Sequence, residues 1–328
     1  MKAVLNNLFE YKSLNKQQAK EILINLANGE YNQSQVAAFL TVYLMRSITV
    51  EELEGFRDAM LELCIPLEID DYKAIDLCGT GGDGKDTFNI STLSSFVVAG
   101  AGQKVAKHGN NGVSSVCGSS NLLAHFGYQF TNDKDQLIKS LDVAGICFLH
   151  APLFHPAMKN VAPIRKELGV KTFFNMLGPI VNPSFPKKQL VGVFNLELAR
   201  LYGYLHQKTD KQYIILHSLD GYDEVSLTGP FKMLSNNNEK MLFPEDLGFK
   251  TWSQETLWGG KTVEDSAKIF TKVLEGDGTE AQNQVVTANA GLAIHCGKSV
   301  SIEDGIEEAR ESLQSGKALQ TFKKLLDL

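Results

Sequence analysis

The chain lacks paired cysteines, long apolar runs and any excess of basic charge. Its five cysteines, Cys64, Cys78, Cys117, Cys147 and Cys296, are scattered and form no C-x-x-C pair. An odd number in apolar surroundings points to buried free thiols in a reducing compartment, and against disulfides or a zinc site. No stretch approaches the roughly 20 apolar residues of a membrane span. The N-terminus, Met1-Lys-Ala-Val-Leu-Asn-Asn, lacks the apolar core of a signal peptide. A cytoplasmic location with no membrane partner is expected. The net charge of −6 argues against a general nucleic-acid binder, although a local basic pocket for an anion remains open. There is no internal repeat, coiled coil or low-complexity tract.

What the chain has is room and order. Its 328 residues, 43% apolar and 21% charged, suffice for two domains with a full core. The first 65 residues read as helices only, over Lys16–Asn28, Gln33–Arg46 and from the capping box Thr49-Val-Glu-Glu to just before Pro66. A helical domain over residues 1–66 is expected. Its broad apolar faces have two readings, packing against the rest of the chain or a homodimer interface. From Ala74 onward strands and helices alternate, which predicts an α/β domain over 67–328 with a mostly parallel central sheet covered by helices. Strands are expected at Ala74–Cys78, Lys104–Ala106, Ile146–His150, Gln189–Phe194 and Tyr213–Leu216, then a hairpin between Phe231 and Phe243. Helices follow at 262–275, 279–295 and 302–327. A stretch rich in proline and glycine, about 165–186, is expected to return to the helical domain.

Chemistry concentrates in the loops beyond the strands, where ligands of open α/β sheets bind. Asp76-Leu-Cys78 breaks into Gly79, Gly81, Gly82 and Gly84, and a helix resumes near Ser91. Strand, glycine turn and helix start together present backbone N–H groups to an anion. Here Gly81 to Gly84 would donate from the backbone, and Asp83, Thr87, Asn89, Ser91 and Thr92 add side chains. The dinucleotide fingerprint fits badly, with no ribose acid about 20 residues on, and no Gly-Lys-Ser/Thr completes a P-loop. A second loop, Lys107-His-Gly-Asn110 and then 111–119, offers Lys107 as a point charge for phosphate, or simply as a solvated lysine. His108 has two readings, a base or a structural hydrogen bond. Ser114 and Ser115 are neutral donors, and Ser119 is expected to cap the next helix. Asp223-Glu224 suits Mg²⁺, or is a solvated acidic pair. Arg165 could pair a substrate carboxylate through its planar fork.

Taken together, Gly79-Thr-Gly-Gly-Asp83, Asn89-Ile-Ser-Thr92, Lys107-His-Gly-Asn110, His155-Pro-Ala-Met158, Arg165, Leu177-Gly-Pro179, Asn182-Pro183 and Asp223-Glu224 resemble the anthranilate phosphoribosyltransferase family of tryptophan biosynthesis. The resemblance implies transfer of ribose 5-phosphate from phosphoribosyl pyrophosphate to the anthranilate amine, on a homodimer joined through the helical domain. It implies that Gly79, Gly82, Asp83, Thr87, Asn89, Ile90, Ser91 and Thr92 hold phosphoribosyl pyrophosphate. Lys107, His108, Gly109, Asn110, Asn111, Gly112, Val113, Ser114, Ser115 and Ser119 would share that task. Ser91, Asp223 and Glu224 would serve Mg²⁺, two ions per site, and Gly79, Asn110 and Arg165 would line the anthranilate path. No residue is assigned as acid or base, because an aryl amine is already a nucleophile. The chain departs from the family pattern twice. Asn111-Gly112 stand where Arg-Ala is usual, and Gly118-Ser-Ser-Asn121 where Gly-Ser-Ala-Asp is usual. The alternative is a related phosphoribosyltransferase or nucleoside phosphorylase with another aromatic acceptor.

Overall fold

The structure, a computed structural model, describes residues 1–112 and 116–328. The chain divides into two compact units, Met1–Pro66 with Ala151–Phe185, and Leu67–His150 with Pro186–Leu328. The first opens with helices α1 (Lys2–Phe9), α2 (Lys16–Ala27), α3 (Gln33–Met45) and α4 (Val50–Glu62). Asn15, Asn32 and Thr49 start the last three. Each side chain accepts a hydrogen bond from a backbone N–H of the first turn, which has no partner within the helix. The capping box at Thr49 and Glu52 forms as its sequence predicts. Helix α1 has no counterpart in the sequence expectations. It is eight residues long and buries only Leu5 and Leu8, too short a pattern to read as periodic. Gly55 lets α4 lie on α2, since a Cβ there would overlap the Lys16 carbonyl.

The second unit begins with β1 (Ile75–Gly79), α5 (Ile90–Gly100), β2 (Val105–Gly109), α6 (Ser119–His125), α7 (Lys134–Ala144) and β3 (Ile146–His150). The chain then leaves for the helical unit through α8 (Ala151–Phe154), α9 (Ala162–Leu168) and α10 (Phe174–Leu177). This excursion starts at Ala151, directly after β3, and not near 165. It is tied into the helical unit by Ile65 N to Phe154 O (2.8 Å) and by Asn160 Nδ2 to Ala27 O (2.7 Å). Phe173 stacks on Phe56 with ring centres 4.5 Å apart, inside a cluster with Phe39 and Tyr43. Pro163 falls in the first turn of α9, where its missing N–H is harmless.

The sheet resumes with β4 (Lys188–Gly192), α11 (Leu196–His206), β5 (Gln212–Ser218), β6 (Phe231–Ser235) and β7 (Glu239–Leu242). Helices α12 (Val263–Leu274), α13 (Glu280–Lys298), α14 (Ile302–Gln314) and α15 (Lys317–Leu326) complete the chain. The span 302–327, which reads in sequence as one helix, is two. They break at Gly316, whose φ of +77° suits glycine and ends α14. Strand order is β3-β2-β1-β4-β5-β6-β7, parallel through β5, with the hairpin β6–β7 added antiparallel at the edge. One sheet face carries Ile75, Leu77, Val105, Ile146, Phe148, Leu190, Ile214 and Leu216 into a core with Phe96, Phe270, Val285 and Leu292. Among the described residues, no helix is long and apolar enough to cross a membrane.

Candidate active site

The strand order reverses between β1 and β4, the place where an open α/β sheet leaves a crevice beyond its carboxyl ends. Gly79 and Gly192 end these two strands and stand opposite each other. Both are bare for the same reason. A Cβ on Gly79 would overlap the Asp223 carboxylate, and one on Gly192 would overlap the Asp223 backbone carbonyl. Asp223, from the loop after β5, is thus seated against the ends of the two central strands. Gly79 does more than turn the chain: it admits a carboxylate.

That carboxylate accepts a hydrogen bond from Gly81 N (2.6 Å). This N–H, expected to meet phosphate, is committed within the protein. Gly81, Gly82 and Gly84 take φ of +63°, +75° and +73°, which an L side chain would resist. Burial, followed by the charge of nearby Asp83, pushes Asp223 up from its ordinary 3.8 to about 7. Burial and Asp223 push Glu224 well above the usual carboxylate range, against the pull of Lys107 and a hydrogen bond with the Ser91 side chain. Three acidic groups therefore crowd one spot with Lys107 as the compensating cation. Hard oxygen donors in excess of positive charge fit Mg²⁺. Neither Asp223 nor Glu224 is solvated, and neither is Lys107, which is 2% exposed and donates to Leu77 O. Asn289, buried on α13, fixes the chain just beyond Glu224: its side-chain amide accepts from Val225 N (3.0 Å) and donates to Val225 O (2.8 Å).

Helix α5 points its first turn from the same loop. Asn89 stands before it without capping it, donating instead to Cys117 O (2.9 Å), which joins the first loop to the second. Its Oδ1 is buried without a partner among the described residues. Ile90 is buried in the core, and its N–H is taken by Phe88 O (2.7 Å), so it offers no donor to a ligand. Ser91 and Thr92 remain at the helix start, where an anion is favoured.

Strand β2 runs further than expected, and Lys107, His108 and Gly109 belong to it. Alternation then sends Lys107 and His108 to opposite faces of the sheet. The His108 ring lies 2.9 Å from Asp76 Oδ2, and its backbone N–H reaches Asp76 Oδ1 (3.4 Å). Gln189 Nε2 adds a bond to Asp76 Oδ2 (3.1 Å). His108 is therefore a structural partner of Asp76 and not a base or a side-chain ligand of the donor. Among the described residues, Asp76, Cys78 and His108 are also the one group of three His, Cys, Asp or Glu close enough to share a metal ion. The Cys78 thiol is pushed well up by burial and Asp76, so it stays protonated, and the group reads as a polar network.

The second loop closes on Asn121. Its Oδ1 accepts from Gly112 N (2.8 Å) and Gly118 N (3.1 Å), pinning both stems. Gly118 precedes α6, and Ser119, expected to cap it, bonds Asn110 O (3.4 Å) instead. A Cβ on Gly109 would overlap Ser119, and Asn111 N reaches Asn110 Oδ1 (2.8 Å). Val113, Ser114 and Ser115 lie outside the described residues. Sequence reasoning missed Gly192 and Asn289, and took Asn121 only as a departure from the family pattern. A polar Asn within the apolar run Val285–Ile294 was the one legible signal.

In the helical unit, Arg165 is half-buried on α9. It meets Asn175 Oδ1 (3.3 Å) and lies over the Phe174 ring, 5.2 Å from its centre. Burial alone lowers its pKa, and the contacts it makes among the described residues, with Asn175 and Phe174, are to neutral groups. A desolvated guanidinium met only by neutral groups is suited to an incoming carboxylate.

Comparison with known proteins agrees with both units. Residues 71–319 match the glycosyl transferase family, a/b domain, and residues 2–64 the helical bundle domain of that family. The chain is 64% identical over 328 residues to an anthranilate phosphoribosyltransferase of Flavobacterium psychrophilum, covering 100% of this chain and 99% of the relative. It is similar in structure to anthranilate phosphoribosyltransferase from Thermus thermophilus, with TM-score 0.92, 32% identity and 98% of each chain covered. The Saccharomyces cerevisiae enzyme solved in complex with PRPP and Mg gives TM-score 0.90 and 26% identity, covering 98% of this chain and 96% of that one. Likeness of this order, sustained over the whole length and in both units, shows that the chain belongs to the anthranilate phosphoribosyltransferase family.

Proposed function

We infer that this chain transfers the 5-phosphoribosyl group from phosphoribosyl pyrophosphate to the amine of anthranilate, giving N-(5-phosphoribosyl)anthranilate and pyrophosphate in tryptophan biosynthesis. The observation that carries this reading is the crowded carboxylate site at the β1–β4 switch point. Asp223 and Glu224, with the Ser91 hydroxyl, would hold magnesium, in two ions per site. Magnesium, when bound, supplies positive charge to the departing pyrophosphate. Gly82, Asp83, Thr87, Asn89, Ser91 and Thr92 would receive the donor at the start of α5. Lys107, Gly109 to Gly112 and Ser119 would form its other wall. Gly79 and Asn110 would border the acceptor, and Arg165 would face its carboxylate. Positioning a ready nucleophile beside the ribose C1 requires no side-chain base. The yeast complex with PRPP and Mg supports donor and ion alike.

A homodimer through the helical unit is part of this reading, supported by exposed Phe9, Leu44 and Met45 on that unit. A cytoplasmic enzyme acting on small molecules suits the absence of disulfides among the five buried cysteines. The direct experiment follows loss of anthranilate fluorescence with purified protein, phosphoribosyl pyrophosphate and Mg²⁺. Turnover is expected with anthranilate. Turnover only with a nucleobase or ribose 1-phosphate would assign a different acceptor to the same scaffold.

A further inference from the structure

A stretch that carries no motif, between the β6–β7 hairpin and α12, closes on the glycine loop. Phe88 N donates to Leu257 O (3.0 Å) and Gly259 N to Asp86 O (2.8 Å). Thr87 and Trp258 face each other between these bonds as an isolated antiparallel bridge. Gly259 is bare of necessity, because a Cβ there would stand 2.6 Å from Thr87 O and 2.8 Å from Phe88 N. Both obstacles are backbone, so an added side chain must displace the loop. The segment itself is anchored, since the buried Ser266 hydroxyl of α12 donates to Gly259 O (2.9 Å).

A second contact holds the loop near Lys85. Lys85 Nζ lies 4.6 Å from the centre of the Tyr222 ring, and Tyr222 is the buried neighbour of Asp223. Between the two grips Asp86 takes φ of +48°, an uncommon conformation for a residue with a side chain. Such a conformation persists where the surroundings over-determine it. Thr87 lies within this gripped stretch, Asn89 follows it directly, and Ser91 comes in the first turn of α5; these are side chains that the donor site requires.

We propose that Leu257–Gly259 is a positioning element of the phosphoribosyl-donor loop, acting through Asp86–Phe88, with Gly259 setting its place. The proposal rests on the assignment of that loop to phosphoribosyl pyrophosphate. It is tested with Gly259→Ala in the full chain. In the ligand-free protein, amide exchange over residues 86–90 speeds up by about tenfold or more. Calorimetric affinity for phosphoribosyl pyrophosphate with Mg²⁺ weakens by about tenfold or more, and anthranilate KM stays within about twofold of wild type. Ser266→Ala frees the Gly259 carbonyl without adding an atom, should shift the same two readouts less, and serves if Gly259→Ala does not fold. Unchanged exchange and donor affinity in both variants would overturn the proposal. So would a lower Tm with donor affinity intact, which marks a merely structural role. Failure of the wild-type protein to bind phosphoribosyl pyrophosphate strikes the functional assignment instead, and the exchange measurement still decides whether the segment holds the loop.

Discussion

Two buried acidic sites sit on opposite faces of the same central strands, and they are built by opposite rules. On one face Asp76 is fully buried, and its oxygens receive His108, Gln189 and the Cys78 thiol. On the other, Asp223 and Glu224 are both driven toward protonation, by burial first and then by neighbouring acidic charge. A carboxylate supplied with donors is a fastener for strands β1, β2 and β4. A group of three carboxylates that shares one nearby lysine is short of positive charge and poised for a further cation. The position of one residue in the strand period decides which is which, since Lys107 and His108 are adjacent in sequence and serve different sites.

The comparison breaks most visibly at the second site. Asp223→Asn is expected to lower kcat/KM for phosphoribosyl pyrophosphate by about 10²–10³-fold, with a Tm in the metal-free protein equal to or above wild type. A large fall in Tm would show Asp223 to be a fastener as well. The reverse is expected of Asp76→Ala. It leaves the partners of that carboxylate short in the interior and should cost about 2–4 kcal/mol of stability in urea titration. The folded protein at 25 °C should keep kinetic constants within a few-fold of wild type. Loss of activity without loss of stability would move Asp76 into the catalytic machinery.

Arg165 extends the comparison to a cation that no carboxylate of the described residues meets. Arg165→Ala should raise anthranilate KM by about 10–100-fold, the worth of a hydrogen bond between charged groups. The donor KM should change little, and an unmoved anthranilate KM would remove the assigned role. The smallest expected effect is on pH dependence. Because Asp223 holds its proton up to about 7 in the folded chain against 3.8 ordinarily, the native state binds more protons than the unfolded state between these values. Its contribution to stability is thus present at low pH and lost as pH rises through that window. Metal-free wild type should show a falling Tm between about pH 4 and 7, less so in Asp223→Asn, and added Mg²⁺ should flatten the slope. An identical slope in the variant would place the titration elsewhere.

Much was legible in the residues, because local rules govern helix starts, glycine turns and apolar strands. Thr49 caps where its capping box says it should. Gly81, Gly82 and Gly84 adopt the positive φ their clustering predicts. Polar residues at a strand's end hid the length of β2, and two buried leucines were too few to reveal α1. The loop grips at Leu257–Gly259 and Tyr222 join residues more than 100 positions apart, so no spacing rule reaches them.

By itself the sequence determined the alternation that yields a parallel sheet, the order of the motifs, and the family they resemble. Those depend on neighbours along the chain. Only the tertiary structure decided that Gly79 and Gly192 both yield to Asp223, that Gly81 spends its N–H on that carboxylate, and that His108 turns away to Asp76. These are outcomes of close packing and of burial in low dielectric, which depend on which strands stand side by side.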